Sequence, residues 1–197
     1  MTDYVDGYCE RVGPGLWGEP LNSLSNLAFL VAAVLVWRLA DGGRVGRLLA
    51  GLIGLIFVAS TTFHLVATRW AAVADSVSIL VFVLVYAGLF PRLFLGWRLW
   101  WLGPPAFLAL TVGTALLGGG LYLSALIGLG IFAAILAFRR DPHWTHFAVA
   151  GAIFALSLSL RALDRDVCDY VPAGTHFLWH LLNGLVLCLV SRAAIRR

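Results

Sequence analysis

Apolar residues run along this chain in blocks of roughly 17 to 25, parted by short polar stretches. The blocks fall near residues 20–37, 45–67, 73–90, 99–117, 121–138, 144–160 and 172–190. Each has about the length a helix needs to cross a hydrocarbon core roughly 30 Å thick. The pattern predicts an all-α polytopic membrane protein: seven transmembrane helices in one domain, residues 1–197, with residues 1–18 as an acidic extramembrane segment. The stretch from Leu99 to Phe138 decides the count. It holds forty residues without a charge, about 60 Å as one helix, which is two crossings rather than one. Gly118, Gly119 and Gly120 sit at its centre, where a tight reversal needs residues free in φ, so a helical hairpin is expected.

Composition agrees with a lipid surround. The chain is 61% hydrophobic and 12% charged, with a mean hydropathy of +0.91, more apolar surface than a water-soluble domain of 197 residues can hide. All fourteen basic residues are arginine. They lie in short loops, with no basic stripe carrying interleaved aromatics, so the pI near 9.3 does not point to nucleic acid. The first eighteen residues carry Asp3, Asp6, Glu10 and Arg11 but no apolar core, so no cleavable signal peptide is expected ahead of the first span.

Arginine placement predicts orientation. Ten of the fourteen lie in the loops after spans one, three and five and at the C-terminus; the other loops hold Arg11, Arg69, Arg161 and Arg165. By the positive-inside rule the N-terminus is outside and the C-terminus inside. Eight of the ten acids then lie on the outer face, which becomes anionic and receptive to cations.

Ionisable groups inside apolar segments cost enough that each is a candidate site. Span two ends in Ser60-x-x-x-His64, span three begins near Asp75, and span seven begins with His176-x-x-x-His180. A spacing of four brings each pair onto one helix face. With seven spans, all five residues share the outer leaflet; with six, His64 and the span-seven pair would be on opposite sides. Three neutral imidazoles with an open fourth position form a catalytic zinc arrangement, and a carboxylate and a hydroxyl beside it serve proton transfer and orientation. Taken singly, each residue has a plainer use: an interfacial histidine, a serine bonded back to its own helix, an aspartate at a helix start. Co-location carries the case. His143 and His146 open span six on the other side, and Asp141 with Pro142 reads as a helix start there.

In this order, these residues resemble the alkaline ceramidase family, which belongs with the adiponectin receptors to a wider group of seven-span zinc hydrolases. The likeness covers most of the chain at the level of spans. It is sharpest at Asp6-Gly-Tyr-Cys9-Glu10 followed by Glu19-Pro-Leu-Asn-Ser-Leu-Ser-Asn26, at Ser60-x-x-x-His64 with Asp75, and at His176-x-x-x-His180. The resemblance implies Zn²⁺ on His64, His176 and His180, with catalytic Ser60 and Asp75 beside it, and a ceramide-like acyl amide cleaved to fatty acid and sphingoid base. It further implies a disulfide between Cys9 and Cys168, two residues that are free thiols on the alternative reading, while Cys188 reads as a packing residue. A Ca²⁺ site on Asp6, Glu10 and Glu19 is also implied, although Gly7 shifts one ligand by a residue and a solvated acidic segment explains the same acids.

The expected setting is a bacterial inner membrane with the site facing the periplasm or exterior, a lipid substrate, no nucleic acid and no obligatory protein partner. Two other readings stay open: a heptahelical receptor of the adiponectin type with a structural zinc, and a haem carrier using membrane histidines. Within the hydrolases, an N-acyl lipid other than ceramide is the alternative substrate.

Overall fold

The computed structural model describes residues 2–197, and the helices follow the apolar blocks. The first span is built from α1 (Pro20–Ser25) and α2 (Leu27–Leu39), joined at Asn26, which keeps helical dihedrals, so that Pro20–Leu39 runs as one apolar segment. Pro20 stands at the start of α1, where a missing N–H costs nothing. The free N–H groups of Leu21 and Asn22 donate to the Glu10 carboxylate at 2.7 and 2.8 Å, an acidic cap supplied from outside the helix.

Next come α3 (Arg44–Val66) and α4 (Arg69–Phe94), reversed through Ala67 in a left-handed conformation at φ 50°. The N-terminal segment lies across this turn: Val5 N–H donates to Ala67 O, Arg69 N–H to Asp3 O, and Gly15 N–H to Leu65 O. α5 (Gly103–Leu116) and α6 (Gly120–Phe138) form the expected hairpin, with Gly118 at φ 81°, a conformation a side chain would resist. α7 (Trp144–Leu163) and α8 (His176–Ile195) complete the bundle.

Six helical segments among the described residues are long and apolar enough to cross a membrane, and Trp100–Leu116 is a shorter apolar helix. The hairpin's first arm is therefore shorter than the block from Leu99 to Leu117 suggests, because Leu99 to Leu102 form a turn and a single 3₁₀ turn before α5 begins. The last helix also differs from its block. It starts at His176, not Pro172, since Gly174 takes φ 63° and the Thr175 hydroxyl bonds back to Leu160 O. α4, by contrast, starts earlier than expected, which puts Asp75 within its second turn rather than at its opening.

α8 is the central element, in contact with α1, α2, α3, α4 and α7. Away from the histidines, the core is aromatic: Phe90 stacks on Phe132 with centroids 3.7 Å apart, and Phe94 and Phe147 close around them. Leu, Val and Trp side chains cover the outer surface, the face a bilayer solvates. Among lipid tails such a bundle is held by close packing and internal hydrogen bonds rather than by exclusion of water. Two polar ends result. One gathers the N-terminal segment, the α3–α4 turn and the α7–α8 loop; the other brings Arg197 onto Asp141 and over the Phe94 ring, beside His143.

Candidate metal centre

His64 sits two residues before the end of α3, and His176 and His180 occupy the first two turns of α8. The α3–α8 contact brings the three rings together, fully buried, with one ligand atom from each lying within 4.8 Å of the others. The Nε2 atoms of His64 and His180 face one another at 3.1 Å. Tetrahedral zinc with Zn–N bonds of 2.0–2.1 Å holds its nitrogens about 3.3 Å apart, so the spacing suits a shared ion. Nδ1 of His176 is buried with no hydrogen-bond partner, an orphan of the kind that a ligand explains. Among the described residues this is the one group of three or more His, Cys, Asp or Glu side chains close enough to share a metal ion.

Each ring is held from behind. His180 Nδ1 is 2.7 Å from the Ser25 hydroxyl, which donates to Asn22 O. His64 Nδ1 is 3.0 Å from Glu19 Oε2. Tyr8 stacks on His176 with centroids 3.8 Å apart, and burial pushes its hydroxyl well above the usual phenol range. The start of α8 is fixed by Asp164, whose Oδ1 accepts from the N–H groups of Thr175 and His176 at 2.7 and 2.9 Å. Its Oδ2 accepts from Cys9 N–H at 3.0 Å. Gly174 lies so close to Asp164 that a Cβ there would stand 2.1 Å from Oδ1.

Ser60 and Asp75 meet at the same end of the bundle. Ser60, buried one turn before His64, faces the Asp75 carboxyl, whose Oδ1 is enclosed without a hydrogen-bond partner. Arg161 of α7 reaches over the rings of Tyr122 and Trp179 at 4.6 and 5.3 Å and bears electrostatically on Asp75. Below the histidines an apolar slot opens between the helices. Phe29, Tyr122 and Trp179 line its head, Ile79, Ala125 and Val186 its wall, and Tyr86 and Val190 its floor. From Trp179 to Val190 the slot follows α8 for about 17 Å at 1.5 Å per residue.

Cys9 and Cys168 form a disulfide, with Cα atoms 5.3 Å apart, which ties the N-terminal segment to the α7–α8 loop; Cys188 is free. The acids assigned to Ca²⁺ are not brought together. Glu10 caps α1 and Asp6 offers its backbone carbonyl to Arg165. Glu19 is fully buried in an ion pair with Arg11. Burial pushes its carboxyl above the ordinary range, against the pull of the Arg11 guanidinium and the Asn22 amide. The cation beside Glu19 is thus a side chain of the protein. A guanidinium brought from Arg11 by the fold of the N-terminal segment could not be foreseen from spacing, since nothing in a linear acidic run says which acid is already paired. Tyr8 and Ser25 stand inside the two N-terminal motifs, but nothing in the linear chain gave either a partner, and Asp164 and Arg161 carried only the hint of polar residues near a span end. His143 and His146 lie at the opposite end, where His143 Nδ1 is 2.8 Å from Asp141.

No protein-family model, curated protein or solved structure matches the chain. A largely membrane-spanning bundle of seven apolar helices around a buried three-histidine cluster able to chelate a metal is consistent with the fold shared by the alkaline ceramidases and adiponectin receptors.

Proposed function

We propose that this chain is an integral-membrane, zinc-dependent amidohydrolase that cleaves the N-acyl amide bond of a ceramide-like lipid to fatty acid and free amine. The single observation that carries this reading is the convergence of three buried imidazoles next to an apolar slot, whose lining residues Phe29 and Trp179 adjoin His180, the first edge-on to its ring and the second its neighbour in α8. A metal centre alone would suit a sensor; one with an apolar slot beside it and a carboxyl that keeps one oxygen free of partners at the same end of the bundle suits catalysis on an acyl lipid. By the positive-inside rule, arginine placement supports a centre on the non-cytoplasmic side, with the N-terminus there; we read that side as the periplasm or exterior of a bacterial inner membrane.

His64, His176 and His180 would hold the ion, which supplies Lewis acidity and activates water near neutral pH when one coordination position stays open. The protein's own groups do the rest. Asp75, with one oxygen free of partners, takes the proton from the attacking water and returns it to the leaving nitrogen. Ser60 aligns that carboxyl and offers its hydroxyl to the developing oxyanion. The slot takes the acyl chain and excludes water from the side opposite the attack.

The deciding experiment incubates the purified protein in detergent with ceramides, other N-acyl lipids and matched esters, with zinc content measured in parallel. Release of fatty acid from an amide by wild-type protein, lost in His176→Ala and Asp75→Asn, is the expected result. Full turnover by either variant would sink the assignment. Cleavage of another N-acyl lipid with ceramide untouched would keep the hydrolase and replace its substrate.

A further inference from the structure

A buried pair of opposite charges lies outside the candidate catalytic set. Arg11 and Glu19 are 5% and 0% exposed. Arg11 Nε donates to Glu19 Oε1 at 2.6 Å and its Nη2 pairs with the same oxygen. Nη1 donates to Val5 O at 2.7 Å, and the guanidinium lies over the rings of Tyr8 and Phe63 at 4.9 and 4.6 Å. Burying such a pair costs both ions their hydration, and a well-packed apolar pair would often stabilise the fold as well. The second carboxylate oxygen points to a use. Glu19 Oε2 accepts from Asn22 Nδ2 at 3.0 Å and stands 3.0 Å from Nδ1 of His64. Nη2 of Arg11 stands 3.4 Å from that same nitrogen.

A metal-binding imidazole needs its outer nitrogen protonated and its inner one free, and a carboxylate behind the ring sets that tautomer. A guanidinium has no lone pair to offer and cannot accept a proton from the ring. Of the two groups facing Nδ1, only Glu19 can take its N–H.

We propose that Glu19 is the positioning carboxylate of His64, receiving its Nδ1–H so that Nε2 faces the metal, and that Arg11 is the built-in cation that keeps Glu19 in place. The inference rests on reading the three histidines as a metal centre. It gives the N-terminal segment a role in that centre: Arg11 and Tyr8 both lean on its rings, and the Cys9–Cys168 disulfide lies between them in the chain. His180 is served by the same short stretch through Ser25, so Glu19 to Ser25 orients two of the three rings.

The test is a competition titration of zinc against a chelator at one fixed pH, using the full-length protein in detergent. Glu19→Gln should weaken zinc binding about 10- to 100-fold. Arg11→Met should also weaken it, and Arg11→Lys should recover part of the loss. Asp6→Asn, on the same segment but outside the network, should bind as wild type does. Zinc affinity in Glu19→Gln equal to wild type overturns the proposal. Unaltered affinity in His176→Ala would instead overturn the metal centre, so the two failures are distinct. Should Glu19→Gln not fold, the ring-nitrogen NMR shifts of His64 in the zinc-loaded wild type decide: Nδ1 protonated and Nε2 metal-bound is expected, and the reverse tautomer overturns the assignment.

Discussion

Nε2 of His64, near the end of α3, and Nε2 of His180, in the second turn of α8, face each other at 3.1 Å across 116 residues of chain. Two buried, electron-rich nitrogens gain little from each other unless a proton or a metal lies between them. His176, with its own buried and unpartnered Nδ1, makes a metal the better account. If the proposed hydrolase holds, a chelator should abolish its activity, and stoichiometric zinc should restore it. His176→Ala should retain less than one-tenth of the wild-type zinc affinity, a loss of roughly 1.4 kcal/mol or more, read by metal analysis after dialysis.

On the proposed mechanism Asp75 separates chemistry from binding. Asp75→Asn keeps the shape beside Ser60 but would remove the proposed proton acceptor, so turnover should fall about 10²- to 10⁴-fold with zinc content unchanged. Equal zinc loss and rate loss would make Asp75 a metal-supporting group, not a proton carrier.

Asp164 holds the beginning of α8 in register with the histidines. Its oxygens accept from Thr175, His176 and Cys9 N–H groups, and Asp164→Ala leaves all three donors without that partner. Each buried unpaired donor costs about 1–3 kcal/mol, so a marked drop in thermal midpoint is expected, with zinc affinity falling as His176 loses its fixed position. Thermal unfolding in detergent with and without zinc measures both.

The disulfide fastens the segment that carries Tyr8 and Arg11. Cys9→Ser should lower stability by about 2–4 kcal/mol, the usual contribution of a native disulfide. It should also speed zinc release to a chelator, because Tyr8 stacks directly on His176. Comparable release rates in wild type and variant would argue that the segment holds itself in place through the backbone hydrogen bonds of Val5 and Arg69 alone.

The slot can be shortened without touching the metal. Ala125 of α6 lines it part-way to the floor formed by Tyr86 and Val190. Ala125→Phe should leave zinc affinity intact and shift the ratio of rates toward shorter acyl chains. An unchanged chain-length profile would place the acyl chain elsewhere on the bundle.

The all-helical, polytopic plan, the hairpin at Gly118 to Gly120 and the candidate histidines could all be read from the linear chain, although the hairpin's first arm is a shorter helix than its apolar block. Hydrophobic run length and a four-residue helical spacing are local properties that lipid enforces without reference to neighbours. That His64 meets His176 and His180 followed from the parity of the crossings, which puts them at one end of the bundle. What stands behind those rings did not follow. Glu10, Glu19 and Asp164 look alike in sequence, as acids near span ends. Only the fold makes the first a helix cap, the second the partner of Arg11 and His64, and the third the anchor of α8 and Cys9. These pairings, over 8 to 155 residues of chain, depend on which side chains burial forces together, and a buried acid must find its donors wherever the packed helices bring them. The disulfide belongs with these: two cysteines permit it, but only the docking of the N-terminal segment onto the α7–α8 loop brings Cys9 and Cys168 within bonding reach.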